Sequence, residues 1–330
     1  MKKIVFLMAP FRQEKIFGEK YFAMMRPYGE LCFYDRPDFD DRAYVLDFVK
    51  GANYIITTWG SPRIEKDILD VCPDLIAVMH AAGSPKPVIS DELIARNIRV
   101  TYSAIALGEG VAETALTMAI SAIKGLFILP QRTAAGEWGE CKLLARDFYD
   151  ITVGVISGGF VGRHMIKLLQ NFNVDVLLYD PFVTEEQAAA MGAKKAELNE
   201  LLAASDVISI HAPSIPATDN MLNASNLPLI KDGAVLINTA RGSIIDEAAL
   251  IAELKKNRFF ACIDVTNPEP PAVDNELRTL PNVRLTPHIA GAIANGQKRI
   301  AKHICEELTR CENGERMRTE LDANKLATMA

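Results

Sequence analysis

The chain has 330 residues, 49% hydrophobic and 24% charged, which is enough apolar material for a large core divided between two domains of ordinary size. Its net charge of −6, with lysines and arginines spread along the chain, offers no basic field to a polyanion and argues against nucleic-acid binding. The six cysteines, Cys32, Cys72, Cys141, Cys262, Cys305 and Cys311, lack metal-type spacing, so no metal site is expected and reduced structural thiols in a cytoplasmic protein are the reading adopted.

Met1-Lys2-Lys3 leads directly into the strand-like run KIVFLMA, with no export-type apolar segment before a cleavage site. The runs ANYIITTW, LIAVMHA and NIRVTYS follow, separated by stretches of helical period, and this rhythm predicts a parallel, doubly wound sheet. A long helix is expected from near Leu107. Glu113 and Lys124 interrupt its apolar character, so it is not read as a membrane span. With the polar segment TAAGEWGECKLLARDFYD behind it, that helix marks a domain crossing. A second strand series, ITVGVIS, VDVLLYD, DVISIHA, GAVLINTA, FFACIDVT and VRLTPH, makes a complete dinucleotide-binding sheet. A last helix, from about 292 to 312, returns the chain toward the first domain, so the second domain is an insertion within the first.

The segment VGVISGGFVGRHM places Ser157, Gly158, Gly159 and Gly162 after a strand and at the start of a helix, where a pyrophosphate can rest on helix N-terminal amides. Position 157 holds Ser where the dinucleotide fingerprint has its first Gly, so the turn alone also fits a connection that binds nothing. Asp180, at the end of VDVLLYD, shifts the balance toward binding. A carboxylate there accepts hydrogen bonds from a ribose diol and repels a 2′-phosphate, which favours NAD over NADP.

Three later segments carry polar residues just past strand ends: INTARGSIIDEAAL with Arg241, CIDVTNPEP with Asp264 and Glu269, and NVRLTPHIAG with His288. In a doubly wound fold such ends line one crevice. Reducing a keto acid calls for a fixed cation at the substrate carboxylate, a proton donor at the carbonyl oxygen and a partner that tunes the donor. Arg, His and Glu are residue types suited to those tasks. Asp264 and Glu269, close to Pro268 and Pro270, would equally suit a helix cap or a solvated turn.

In the order and spacing of DVISIHAP, IKDGAVLINTARGSIIDEAAL, DVTNPEP and LPNVRLTPHIAG, the chain resembles the D-isomer-specific 2-hydroxyacid dehydrogenase family over nearly its whole length. The resemblance implies a Rossmann NAD-binding domain over about 104–292, inserted into a flavodoxin-like substrate domain formed by 1–103 plus about 293–330. It implies that Arg241 binds the substrate carboxylate, that His288 is the acid/base and that Glu269 hydrogen-bonds and tunes His288. For the cofactor, NAD, it assigns Phe160 and Val161 to the pyrophosphate turn, His211, Ala212 and Pro213 to a loop beside the nucleotide, and Asp264 to the nicotinamide side. Thr239, Ala240 and the stretch from His288 through Ala290 to Gly291 complete that pocket. Formate dehydrogenases share the fold but carry Gln in place of this Glu, so Glu269 points to proton-coupled hydride transfer.

In the first domain, VMHAAGSPKPV resembles the family loop whose amides grip the substrate carboxylate, which gives that role to Ala82 and Gly83. The family continues with an Asp where this chain has Ser84-Pro85-Lys86-Pro87, and two prolines stiffen the loop and remove donors. Trp59 and His80, at neighbouring strand ends, are candidates to shape the pocket for the substrate side chain. The resemblance also implies a homodimer acting on a small 2-keto or D-2-hydroxy acid, with no membrane or nucleic-acid partner. An NAD-sensing regulatory or corepressor-like protein on the same scaffold is the alternative, and a larger sugar-derived acid is the alternative substrate.

Overall fold

Among the described residues, 1–291, 293–323, 326 and 329 of a computed structural model, twelve short strands build two wholly parallel sheets. In the first, β1 (Lys3–Phe6), β2 (Glu30–Phe33), β3 (Tyr54–Thr57), β4 (Ala77–His80) and β5 (Arg99–Tyr102) lie in the order β2-β1-β3-β4-β5. This is the flavodoxin-like order. In the second, β6 (Ile151–Ile156), β7 (Val174–Tyr179), β8 (Lys194–Lys195), β9 (Val207–Ile210), β10 (Val235–Asn238), β11 (Phe260–Ile263) and β12 (Val283–Leu285) lie in the order β12-β11-β10-β9-β6-β7-β8. The order reverses between β6 and β9, which makes their carboxyl ends the switch point where doubly wound sheets bind ligands. The inner strands β3, β4, β9 and β10 are buried at every position, as parallel sheets covered on both faces require.

The chain divides into two units, Met1–Leu107 with Ala292–Met329 and Gly108–Gly291, so the second interrupts the first in sequence. The first is sealed by the helix Gln297–Glu312, whose Ile300, Ala301, Ile304 and Leu308 join Phe6, Phe17 and Phe22 in one core. This helix starts later than expected, after a 3-10 turn over Ala294–Gly296, and the expected start at Ala292 lies outside the described residues.

The crossing between units falls between Leu107 and Gly108, inside the helix Ala104–Ile123 and not behind it. The cause is that this helix serves two cores. Leu107 packs against the first unit's core, whereas Ala112, Ala115, Met118, Ala119 and Ile123 are buried in the second. By length and hydropathy it is the one helix among the described residues that could cross a bilayer, but those buried positions commit its inner face to protein. The polar segment behind it belongs to the second unit as the helix Leu129–Ala134 and a 3-10 turn over Glu140–Leu144.

Candidate active site

Every candidate in the second unit stands at the carboxyl end of a strand. Ser157, Gly158 and Gly159 join β6 to the helix Phe160–Leu169, whose first residues include Val161 and Gly162. A Cβ on Gly162 would lie 1.9 Å from the Ser157 carbonyl oxygen, so only Gly lets helix and turn approach this closely. Asp180, just past β7, is 8% exposed and ties the turn down. Its Oδ2 accepts from the Gly158 amide at 2.7 Å and lies 3.3 Å from Ser157 Oγ, while its Oδ1 accepts from the Phe182 amide at 2.8 Å. Ser157 has φ of 80°, the left-handed conformation for which the fingerprint normally supplies Gly.

Two buried polar atoms without partners mark the next strand ends. His211 follows β9 and Thr239 follows β10, and among the described residues neither His211 Nδ1 nor Thr239 Oγ1 has a hydrogen-bond partner. Ser209 Oγ holds the other ring nitrogen of His211 at 2.9 Å, and burial pushes the His211 pKa down to about 3, so the ring is neutral. Buried polar atoms are rarely left unsatisfied, and a polar ligand at the switch point is a physical reason for both. Ala212 is buried behind His211, Pro213 accepts from Thr218 Oγ1, and Phe160 stands 40% exposed at the mouth of the turn. Together with the glycine turn and Asp180, these atoms fit a dinucleotide.

Toward the other edge, Asp264 follows β11 and His288 follows β12. Glu269 Oε1 lies 2.6 Å from His288 Nδ1, with both side chains about half exposed. Asp264 is buried, and its carboxylate accepts from Thr286 Oγ1 at 2.5 Å and from the amides of Ile289 and Ala290 at 2.9 and 2.8 Å. It therefore holds the turn that carries His288 through Gly291. Arg241 is exposed, and among the described residues its side chain bonds only to the Ala240 carbonyl, at 2.6 Å. No bond joins it to Glu269 or His288. Its loop nevertheless abuts theirs, because a Cβ on Gly242 would fall 2.1 Å from the Thr266 carbonyl carbon in the segment leading to Glu269.

Three residues that set this geometry escaped the sequence reading. Asn238 accepts from the Ala240 amide at 3.0 Å and donates to the Arg241 carbonyl at 2.9 Å, while Gly242 and Thr286 act as described above. An Asn ending an apolar run favours side-chain-to-backbone turns, which was the signal available for Asn238. Cys262 in β11 is core, its thiol pushed up to about 12 by burial, and all six cysteines are free.

In the first unit, Ala82 and Gly83 follow β4, with the Ala82 carbonyl held by the Ser103 amide at 2.9 Å. His80 is 2% exposed; its Nδ1 pairs with Thr57 Oγ1 at 2.9 Å, its ring hydrogen-bonds the Ser84 backbone, and burial lowers its pKa to about 4. It thus lies beneath the loop as a neutral support. Trp59 is 38% exposed in the turn after β3.

Residues 116–290 match the family described as D-isomer specific 2-hydroxyacid dehydrogenase, NAD binding domain. The chain belongs to this family, and its second unit is an NAD-binding domain. It is 29% identical over 276 residues to D-3-phosphoglycerate dehydrogenase of Methanocaldococcus jannaschii, covering 82% of this chain and 52% of that one. The chain thus spans about half the length of that relative. It is 31% identical over 264 residues to (S)-sulfolactate dehydrogenase of Chromohalobacter salexigens, covering 79% and 85%. A phosphoglycerate oxidoreductase structure from Rhizobium etli superposes with a TM-score of 0.83 at 22% identity, over 98% and 99% of the two chains, and so shares the fold.

Proposed function

We propose that the chain reduces a small 2-keto acid to a D-2-hydroxy acid, or runs the reverse reaction, with His288 as acid/base, Glu269 as its tuning partner and Arg241 as the cation for the substrate carboxylate. The observation that carries this reading is the 2.6 Å contact between Glu269 Oε1 and His288 Nδ1, made in the NAD-binding unit. Bound NADH supplies the hydride. With Nδ1 engaged by Glu269, Nε2 of His288 holds the proton that the substrate oxygen takes up as it becomes a hydroxyl. Arg241, exposed but anchored through its backbone to Asn238, binds the carboxylate and draws electron density from the adjacent carbonyl. Ser157, Gly159, Phe160, Val161, Gly162, Asp180, His211, Thr239 and Asp264 are assigned to holding NAD. Ala82 and Gly83 are assigned to the substrate carboxylate, and the unit that contains them to substrate binding. Exposed apolar side chains at Leu126, Trp138, Leu143 and Tyr149 in the second unit support a homodimer.

Oxidation of NADH against glyoxylate, pyruvate, hydroxypyruvate and longer sugar keto acids tests the proposal. Because His288 has φ of 51°, His288→Asn is the suitable variant, since Asn tolerates the left-handed region. It should lower kcat about 100-fold or more, and Arg241→Gln should also raise KM. Tight NADH binding with none of these acids reduced, or full turnover by the His288→Asn protein, would sink the reading.

A further inference from the structure

At the carboxyl end of the sheet that bears Ala82 and Gly83, the first unit carries a cation that has no ion-pair partner among the described residues. Arg12 lies in the first turn of the helix Pro10–Ile16, which follows β1. Its guanidinium sits 5.6 Å from the ring centre of Trp59 and 5.0 Å from that of Phe11. It is half-buried, and among the described residues it has no carboxylate partner and no side-chain hydrogen bond. Partial burial lowers its pKa and no neighbouring charge offsets that effect.

The platform beneath it is fixed. Trp59 occupies a turn closed by the Ser61 amide on the Thr58 carbonyl, with Gly60 at φ of 80°. Ser61 Oγ donates to the Leu7 carbonyl at 2.6 Å, tying that turn to the segment after β1. Thr58 Oγ1 donates to the Ala81 carbonyl at 3.0 Å, tying it to the loop after β4. The carboxyl ends of β1, β3 and β4 are therefore locked together, with half-buried Arg12 and partly exposed Trp59 at the end of the sheet that carries the Ala82–Gly83 loop.

Stripping a guanidinium of part of its water without an ion pair is unfavourable, and aromatic faces recover only part of that cost. What they do provide is a preset direction for the five donors. We infer that Arg12, seated on Trp59, binds a second anionic group on the substrate, so that the preferred acids carry a phosphate, sulfonate or carboxylate at the end distant from the reacting carbon. This inference rests on the keto-acid reading above and assigns the substrate class within it. A mobile lysine in the same place would attract anions without orienting them, whereas a planar cation on a ring can grip two oxygens at once.

The test is a binding measurement that does not depend on turnover. The full chain loaded with NADH is titrated calorimetrically with phosphoglycerate, sulfolactate, malate and lactate, pairs that cannot exchange hydride because both partners are reduced. The three acids with a second anionic group, or one of them, should bind about tenfold or more tighter than lactate, and their ranking identifies the group. Arg12→Gln should erase most of that advantage, Arg12→Lys should restore part of it and Trp59→Leu should reduce it, with melting temperature as the check on folding. The inference is overturned if none of the acids with a second anionic group binds tighter than lactate, or if Arg12→Gln weakens lactate by the same factor as the others. Keto-acid reduction is measured in parallel. Turnover without an Arg12-dependent preference removes this inference and leaves the reductase, while an Arg12-dependent preference without any turnover does the reverse.

Discussion

Asp264 is a buried carboxylate whose hydrogen bonds are spent on the turn that carries His288. It is 1% exposed, and the three bonds it accepts hold residues 286–290 while its own carbonyl takes the His288 amide at 3.0 Å. His288 sits in the left-handed region at φ of 51°, a conformation that persists only where surroundings impose it. Asp264→Ala would strand the Ile289 and Ala290 amides in the interior, so a loss of about 3 kcal/mol in denaturant unfolding is expected. A fall in kcat should accompany it, because the ring facing Glu269 loses its fixed placement. Asp264→Asn, which keeps the shape and one acceptor, should fall between the two. Retention of kcat by a destabilised Asp264→Ala protein would show that other contacts aim His288. The pairing of Glu269 with His288 was legible in the sequence because residue types and family order sufficed to name it. The parts played by Asn238, Gly242 and Thr286 were not, since each depends on how close neighbouring loops come, which no local pattern encodes.

The turn between β6 and the helix Phe160–Leu169 poses a different question, whether an imperfect glycine fingerprint still makes an anion cradle. Ser157 adopts the conformation expected of Gly, at a cost of about 1–2 kcal/mol for a side-chain-bearing residue. Its contact with Asp180 Oδ2 offsets part of that. Ser157→Gly should therefore bind NADH at least as well as the parent. Gly162→Ala should weaken binding about tenfold or more, because its Cβ meets backbone that cannot give way. Nicotinamide fluorescence titration of both variants checks this, and equal affinity for the Gly162→Ala protein would show that the helix start is not the pyrophosphate seat. Across the elements, the apolar runs announced the ten other strands, but β2 and β8 escaped. Both are edge strands: β2 is exposed at its two ends and β8 is a pair of lysines. An edge strand needs no continuous apolar run, and charged residues protect it against pairing with another chain, so hydrophobic period is silent there. The boundary at Leu107 falls inside one uninterrupted helix that serves two cores.

Each unit carries a histidine that the fold keeps neutral, His80 in the first and His211 in the second, and this couples the stability of the whole molecule to pH. Burial lowers His80 to about 4 and His211 to about 3, against an ordinary value of 6.5 in the unfolded chain. His303, inside the first unit's core, is shifted the same way, with burial outweighing the nearby Glu307. Below the ordinary value the unfolded state binds protons that the folded state refuses, so unfolding becomes easier as pH falls. The stability that neutral burial confers is complete above pH 6.5 and is lost progressively down to about 4 for His80 and about 3 for His211. For His80 alone the loss by pH 4 is of order 3 kcal/mol. Urea unfolding at pH values between about 7.5 and 5 should show a midpoint that falls steadily with acid. His80→Gln, which retains amide partners for Thr57 and Ser84 without a group that protonates, should lower stability at neutral pH and flatten the acid limb. A wild-type midpoint that holds constant over that interval would mean that the imidazoles protonate within the folded protein, and that the Thr57 and Ser84 contacts do not require a neutral ring.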